Sequence, residues 1–136
     1  MIIADTSGLL ALFNQREPAH AAAAAAVTAE RDPLVVSPFV MAELDVLLLT
    51  RVGRGAARAL VEELAGGAYL LPCIDEDDLR VATEVIDRYA DLGLGLTDAS
   101  LVVLADRYAT LRLLTLDRRR FGAVRSLGGA PFELLP

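Results

Sequence analysis

The chain opens on a short apolar run, residues 1–4, that ends on the carboxylate of Asp5. An apolar run without alternation is typical of a strand that is buried on both faces of a parallel sheet. Thr6 or Ser7 can then cap a helix that contains the apolar segment 9–13. We therefore expect Asp5 just past the carboxyl end of a central strand, which is the edge where ligands bind in open α/β sheets.

The rest of the chain alternates between short apolar runs and helical patterns. Further strands are predicted at residues 34–36, 69–72, 111–116 and 132–135, and helices at 6–14, 17–31, 38–52, 54–65, 75–90 and 97–108, with a helical turn at 117–121. This alternation indicates an α/β fold, a three-layer α/β/α sandwich with a mainly parallel central sheet of four to five strands. A length of 136 residues without a visible linker or repeat predicts a single domain, 1–136.

Composition excludes several classes of protein. A hydrophobic fraction of 54% indicates a globular chain and not a disordered one. With Cys73 as the only cysteine and His20 as the only histidine, a disulfide framework is excluded and a Cys- or His-based zinc site is disfavoured. There is no long uncharged apolar run and no basic leader before the first strand, so we expect a soluble, cytoplasmic protein with no membrane partner.

The charge balance gives a mixed indication about nucleic acid. A net charge of −6 disfavours a phosphate-rich partner. However, all 13 basic residues are Arg, the side chain best suited to forked phosphate contacts. Arg118 and Arg119 directly follow an acid after the predicted fourth strand, and Arg112 lies nearby in sequence. We consider these three as candidates for binding RNA phosphates, with a solvated turn as the alternative.

Four acids lie where an α/β fold would gather them. Asp5 and Asp117 each follow an apolar strand, and both would emerge at the same edge of a parallel sheet. Asp98 lies in the first turn of a helix that starts at that edge, and Glu43 lies among apolar neighbours on another helix. Asp45 has equally apolar surroundings, so periodicity cannot choose between it and Glu43. The ordinary alternatives are a helix-start role for Asp98 and a turn role for Asp117.

Acids that converge without a Lys or His repel one another unless a cation lies among them. Hard oxygen ligands favour Mg²⁺ or Mn²⁺. Such a metal can polarise a phosphoryl oxygen and lower the pKa of a bound water, which is a route to phosphodiester hydrolysis. The pattern therefore predicts an acidic metal site at one edge of the sheet.

Four sequence segments in a fixed order sharpen this prediction. They are IADTS at 3–7, VSP at 36–38 followed by AEL at 42–44, LTDAS at 96–100 followed by LA at 104–105, and LTLDRRRF at 114–121. Together they resemble the PIN-domain ribonucleases of the VapC type, the toxins of type II toxin–antitoxin pairs. The resemblance covers nearly the whole chain and implies a PIN-like α/β/α fold.

The resemblance also implies a set of site residues. It assigns the family's metal-site acids to four positions: Asp5, Glu43, Asp98 and Asp117. This favours Glu43 over Asp45. The first and third acids are implied as direct ligands, whereas the second and fourth bind metal directly or through water, or orient the attacking water. Ser7 and Thr115 are implied as hydrogen-bonding supports.

The function implied by the resemblance is a Mg²⁺- or Mn²⁺-dependent endoribonuclease toxin that cuts structured RNA of the translation machinery, a tRNA or an rRNA loop. A homodimer and a cognate VapB-type antitoxin are also implied, with an apolar antitoxin helix on the 9–13 face and the third and fourth helices. The alternative is a non-catalytic PIN-like module that binds RNA or protein.

Three other classes that use this edge of a sheet fit the sequence less well. A receiver domain needs a lysine near its phosphorylated Asp, and this chain has none. A phosphatase with an Asp nucleophile would have a second Asp where Ser7 stands. A dinucleotide binder needs a glycine-rich turn that residues 6–8 do not supply.

Overall fold

A computed structural model describes all 136 residues and has a five-stranded sheet at its centre. The strands are β1 (Ile3–Ala4), β2 (Leu34–Val36), β3 (Tyr69–Leu70), β4 (Arg112–Leu114) and β5 (Glu133–Leu135). The helices are α1 (Thr6–Phe13), α2 (His20–Thr28), α3 (Pro38–Arg51), α4 (Arg54–Ala65), α5 (Glu76–Arg88), α6 (Leu96–Arg107) and α7 (Arg118–Ala123). The strand order is β3-β2-β1-β4-β5, and every neighbouring pair is parallel. The predicted α/β fold is confirmed, with a sheet that is parallel throughout.

Strand β1 is the centre of the sheet, as the opening apolar run predicts. It pairs with β2 on one side and β4 on the other, with Ile3 opposite both Val35 and Leu113. Ile3 and its two neighbours are fully buried. The next residue, Asp5, donates its backbone N–H to the Leu114 carbonyl at 3.0 Å. The first acid is therefore fixed at the carboxyl edge, beside the end of β4.

The two helices after β2 follow their sequence signals closely. The Ser37 hydroxyl accepts the Phe39 N–H at 3.3 Å and caps α3, and Pro38 occupies the first turn, where its missing N–H costs nothing. Helix α4 has the predicted bounds. It starts after Gly53, whose φ of 134° is a conformation that side chains rarely adopt.

Two predicted helix caps are wrong. Asp5 and not Thr6 or Ser7 occupies the N-cap position of α1, and it makes no side-chain cap bond. Thr97, the first residue of the predicted helix 97–108, was the expected cap of α6, but the N-cap is Gly95, two residues earlier. For α1 the reason is that the Thr6 and Ser7 hydroxyls donate to carboxylates, and neither accepts an N–H group from the first turn of the helix.

Several predicted elements are shorter in the structure. Strand β4 ends at Leu114 and not at residue 116, because the Leu116 N–H turns to the Ser7 hydroxyl at 2.9 Å. Strand β3 ends at Leu70, and α2 starts at His20, after a turn that contains the predicted start. The apolar runs thus extend beyond the sheet ladder itself.

A close helix–strand approach at Gly8 brings α1 onto the end of β4. A Cβ atom on Gly8 would lie 2.2 Å from the Leu114 carbonyl oxygen and 2.6 Å from its carbonyl carbon. Real Cβ atoms do not approach that closely, so only glycine fits at this position. The contact keeps the start of α1 beside the carboxyl edge of the sheet.

The sheet and helices share a hydrophobic core of 27 buried residues, built largely from Leu, Val, Ala and Ile. Phe121 of α7 is the largest fully buried side chain. None of the helices combines the length and the apolar character needed to cross a membrane.

Candidate active site

Asp5 is held in place by two hydroxyl groups. Ser7 Oγ donates to Asp5 Oδ2 at 2.6 Å, and Thr115 Oγ1 donates to the same oxygen at 2.8 Å. The two hydroxyl oxygens lie 3.3 Å apart, and Asp5 is only 6% exposed. The resemblance implied Ser7 and Thr115 as supports, and the structure brings both into contact with Asp5. This carboxylate is therefore oriented before any ligand binds.

The same hydroxyls also accept backbone N–H groups beyond β4. Ser7 Oγ accepts from the Leu116 N–H at 2.9 Å, and Thr115 Oγ1 accepts from the Asp117 N–H at 3.0 Å. Each hydroxyl thus donates to a carboxylate and accepts from the main chain. This links the first predicted acid to the loop that carries the fourth.

Asp98 faces the site from the first turn of α6. It is 7% exposed, and its Oδ2 accepts the Gly95 N–H at 3.3 Å, as in a capping box. Burial raises the pKa of Asp98 above its usual range, and the charge of Asp5 adds to the increase. The Arg120 guanidinium acts in the opposite direction. Two carboxylates with little access to water are therefore close enough to repel each other.

Arg120 is the positive charge among these acids. Its Nη1 donates to Asp98 Oδ2 at 2.9 Å, and its Nε lies 3.4 Å from Asp117 Oδ2. Burial alone would lower the pKa of Arg120, but the carboxylates of Asp98, Asp117 and Asp5 raise it. Sequence reasoning did not single out Arg120 from its two Arg neighbours. The available signal was its position three residues after Asp117 on a helix, which puts both side chains on one face.

Glu43 joins the site through a hydroxyl contact. Thr6 Oγ1 donates to Glu43 Oε2 at 2.8 Å, and Thr6 directly follows Asp5. Glu43 is itself exposed, so it lies at the rim and not in the buried centre. Asp45 makes no side-chain hydrogen bond or ion pair in the structure. The contact that distinguishes the two acids, Thr6 to Glu43, spans 37 residues and leaves no trace in helical periodicity.

A buried pair of serines, which sequence reasoning missed, links the helices that carry two of the acids. Ser37 Oγ and Ser100 Oγ lie 2.7 Å apart, and both are almost fully buried. Ser100 also donates to the Thr97 carbonyl at 2.6 Å. The pair connects the start of α3, which carries Glu43, to α6, which carries Asp98. Its only sequence signal is a serine in an otherwise apolar helix face.

The three Arg residues predicted to bind RNA lie in different places. Arg118 and Arg119 are exposed on the first turn of α7, beside Asp117. Arg118 donates to the carbonyl of the last residue, whereas Arg119 makes no hydrogen bond or ion pair. Arg112 lies at the opposite, amino end of β4 and pairs with Glu30 and Glu133. The structure therefore does not bring Arg112 to the acids.

Nearly the whole chain matches one family of known proteins. Residues 2–127 match the family described as the PIN domain. The chain belongs to the PIN-domain family. It is 48% identical to ribonuclease VapC26 of Mycobacterium tuberculosis over 135 residues, which cover 99% of this chain and 100% of that protein. Within the family it is therefore of the VapC type.

Solved structures of low sequence identity share the fold of this PIN domain. VapC20 of M. tuberculosis, described as a toxin that cleaves the sarcin–ricin loop, superposes with a TM-score of 0.79 at 22% identity, covering 88% of this chain and 92% of the other. A toxin–antitoxin complex from Klebsiella pneumoniae gives 0.69 at 19% identity, covering 91% and 92%. FitAcB from Neisseria gonorrhoeae gives 0.67 at 15% identity, covering 100% and 97%.

The donor atoms of this PIN domain suit a hard divalent cation, since they are carboxylates supported by hydroxyls. Two of the carboxylates, Asp5 and Asp98, are almost fully buried. Yet no three His, Cys, Asp or Glu side chains come together in an arrangement that would hold a metal ion. The Arg120 guanidinium stands between Asp98 and Asp117 instead. The residues therefore fit such a cation in their chemistry, while the Arg120 guanidinium holds one oxygen of Asp98.

Proposed function

We propose that this protein is a VapC-type endoribonuclease toxin that hydrolyses phosphodiester bonds in structured RNA with the help of Mg²⁺ or Mn²⁺. The observation that carries the proposal is the pair of buried carboxylates, Asp5 and Asp98, which lie close enough for the charge of Asp5 to help raise the pKa of Asp98. Burying two like charges is costly unless a cation compensates them. The full-length likeness to ribonuclease VapC26 supports the same activity.

Each residue of the candidate active site has a proposed role in the reaction. Asp5 and Asp98 would bind the metal directly, and Ser7 and Thr115 keep Asp5 oriented toward it. Glu43 and Asp117 would bind the metal directly or through water, or orient the water that attacks the phosphorus. When bound, the metal polarises a phosphoryl oxygen and lowers the pKa of water. Attack of a water molecule on phosphorus would form one P–O bond and break another, with one proton lost by that water and one taken up by the leaving oxygen.

The RNA substrate belongs to the translation machinery in this proposal, either an rRNA loop or a tRNA. The description of VapC20 as cleaving the sarcin–ricin loop supports testing that loop first. RNA of this kind is in the cytoplasm, where we expect the protein to act.

Arg118 and Arg119 are the proposed phosphate contacts, because both are exposed on α7 beside Asp117. The double variant Arg118→Gln/Arg119→Gln should bind RNA more weakly. The slope of log K against log salt should fall by about 1.4 if both contact single-stranded phosphates. An unchanged slope would exclude both residues from the RNA interface.

The test of the function is cleavage of total bacterial RNA by purified, antitoxin-free protein. Wild type and Asp98→Asn would each be assayed with Mg²⁺, Mn²⁺ or EDTA. We expect discrete fragments only from wild type with metal, and sequencing of their ends would identify the target. Absence of cleavage by folded wild type would favour the non-catalytic RNA- or protein-binding module.

An apolar groove between three helices is the proposed antitoxin site. It has a volume of about 790 Å³ between α1, α3 and α4, and its lining includes Leu10, Phe13, Leu48, Val52 and Leu60. Val52 is 70% exposed, which is unfavourable for so large an apolar side chain without a partner. An apolar helix of a VapB-type antitoxin fits this surface, and the K. pneumoniae relative is itself described as a toxin–antitoxin complex.

A homodimer is the other proposed assembly. An apolar depression beside Glu43, which includes Phe39, Val46 and Leu96, is partly open to solvent. Light scattering on wild type and Val46→Glu would test whether this face joins two copies. A monomeric wild type would exclude the homodimer, and a dimeric Val46→Glu would exclude this face.

A further inference from the structure

The Arg120 side chain points toward the acids, whereas its neighbours Arg118 and Arg119, the proposed RNA contacts, are exposed. It is turned inward to two of the acids, while Arg119 beside it makes no hydrogen bond or ion pair. The Asp98 side chain that it contacts is only 11% exposed, whereas the Arg120 side chain is 39% exposed, so solvent screens this ion pair in part.

Two local contacts hold the guanidinium there. The Arg120 N–H donates to Asp117 Oδ1 at 2.9 Å, which anchors its backbone at the start of α7. The Nε lies near the other oxygen of the same carboxylate, at 3.4 Å, and directs the end of the side chain to Asp98. The guanidinium therefore lies between Asp98 and Asp117 and holds one oxygen of Asp98, a carboxylate that is proposed to bind the metal.

The side chain is also free to leave. Arg120 is 39% exposed at its side chain and Asp117 is 36% exposed, so the path from the acids to solvent is open. Loss of the contact to Asp98 leaves the backbone anchor at Asp117 intact. A rearrangement of one side chain is then sufficient, without movement of the sheet or of α6.

We infer that Arg120 is a built-in counter-ion that competes with the divalent metal for Asp98 and so weakens metal binding. This inference rests on the proposed function, because it concerns the same acids. In the metal-free protein the guanidinium offsets the charge of Asp98 and Asp117. Metal binding requires it to swing out, and the cost of breaking the ion pair is subtracted from the affinity for the metal.

The experiment measures Mn²⁺ affinity and does not depend on RNA cleavage. Binding to metal-stripped wild type, Arg120→Gln and Arg119→Gln would be followed by calorimetry and by the electron paramagnetic resonance signal of free Mn²⁺. Arg119→Gln is the matched control. It removes the same charge from the neighbouring residue, whose side chain makes no hydrogen bond or ion pair. Asp98→Asn would show that the measured ion binds at this site.

We expect Arg120→Gln to bind Mn²⁺ roughly tenfold more tightly than wild type, within the usual range for coupling between two ligands. Arg119→Gln should change the affinity by less than about twofold, as expected for an exposed and screened charge. Circular dichroism would verify that each variant is folded. Should Arg120→Gln not fold, Arg120→Lys keeps the charge but not the forked geometry, and it should bind more tightly than wild type by a smaller factor.

Equal or weaker Mn²⁺ binding by folded Arg120→Gln would overturn the inference while leaving the metal-dependent nuclease intact. Equal tightening by both Gln variants would overturn it too, because that result would indicate a general charge effect. If neither wild type nor Arg120→Gln binds Mn²⁺, the metal site itself is refuted, and with it both this inference and the proposed metal dependence.

Discussion

Replacing Gly8 by Ala tests the helix–strand contact that supports the site. The added Cβ would lie 2.2 Å from the Leu114 carbonyl oxygen, a backbone atom of the sheet that cannot rotate away. Overpacking of this kind costs about 1–3 kcal/mol or more. The gain of Ala over Gly in a helix is only about 0.5–1 kcal/mol. We subtract this gain from an overpacking cost near the upper end of its range. The expected net loss in the free energy of unfolding is then roughly 2 kcal/mol.

The control is the same substitution at Gly55 on α4, where an added Cβ meets nothing within 4 Å. Gly55→Ala should stabilise the protein by about 0.5–1 kcal/mol. In a thermal scan Gly8→Ala should unfold roughly 8 °C below wild type, at about 4 °C per kcal/mol for a chain of this size. A Gly8→Ala protein as stable as wild type would refute the proposed packing of α1 on β4.

Three further substitutions have clear expected outcomes. Thr115→Val removes the hydroxyl that holds Asp5, and it should lower the free energy of urea unfolding by about 1.5–3 kcal/mol, the range for hydrogen bonds to charged groups; a loss near zero would contradict the network. Ser100→Ala leaves the buried Ser37 hydroxyl without an acceptor for its proton, although Ser37 still accepts the Phe39 N–H, and it should cost about 1–3 kcal/mol in the same assay; a neutral result would contradict a structural role for the serine pair. The hydrogen bond from Arg107 lowers the pKa of Asp78, so that ion pair stabilises the fold above the unfolded pKa and loses its effect as pH falls through the folded value. The difference in free energy of unfolding between wild type and Arg107→Gln should therefore have its full value at neutral pH. It should fall as the pH drops below about 4, near the unfolded pKa of Asp. A difference that is equally large in acid would contradict this.

The fold was predictable because its signals are local. The apolar run before Asp5 predicted the first strand, and the predicted helices 38–52 and 54–65 are separated by Gly53; the structure confirms the strand and the separation of the two helices. Strand ends were less predictable. The run that contains β4 stays apolar to residue 116, but the ladder ends where Ser7 takes over a backbone N–H.

The arrangement of the candidate site depends on contacts that local patterns cannot show. Ser7 and Thr115 are 108 residues apart in the chain, yet their hydroxyls share Asp5. The residue type of Thr6 predicted a helix cap, whereas in the structure its hydroxyl donates to the Glu43 carboxylate. The strand and helix pattern already grouped these acids, and family resemblance, which reflects the whole fold, was needed only to favour Glu43 over Asp45. It did not reveal Arg120, whose role depends on the side-chain rotamer.

The most direct test of the account is a crystal structure of the protein soaked in Mn²⁺, with anomalous scattering used to locate the ion. The account predicts one Mn²⁺ bound to carboxylate oxygens of both Asp5 and Asp98, with the Arg120 guanidinium turned away from Asp98. An anomalous peak elsewhere, or none at saturating Mn²⁺ with Arg120 still paired to Asp98, would contradict it.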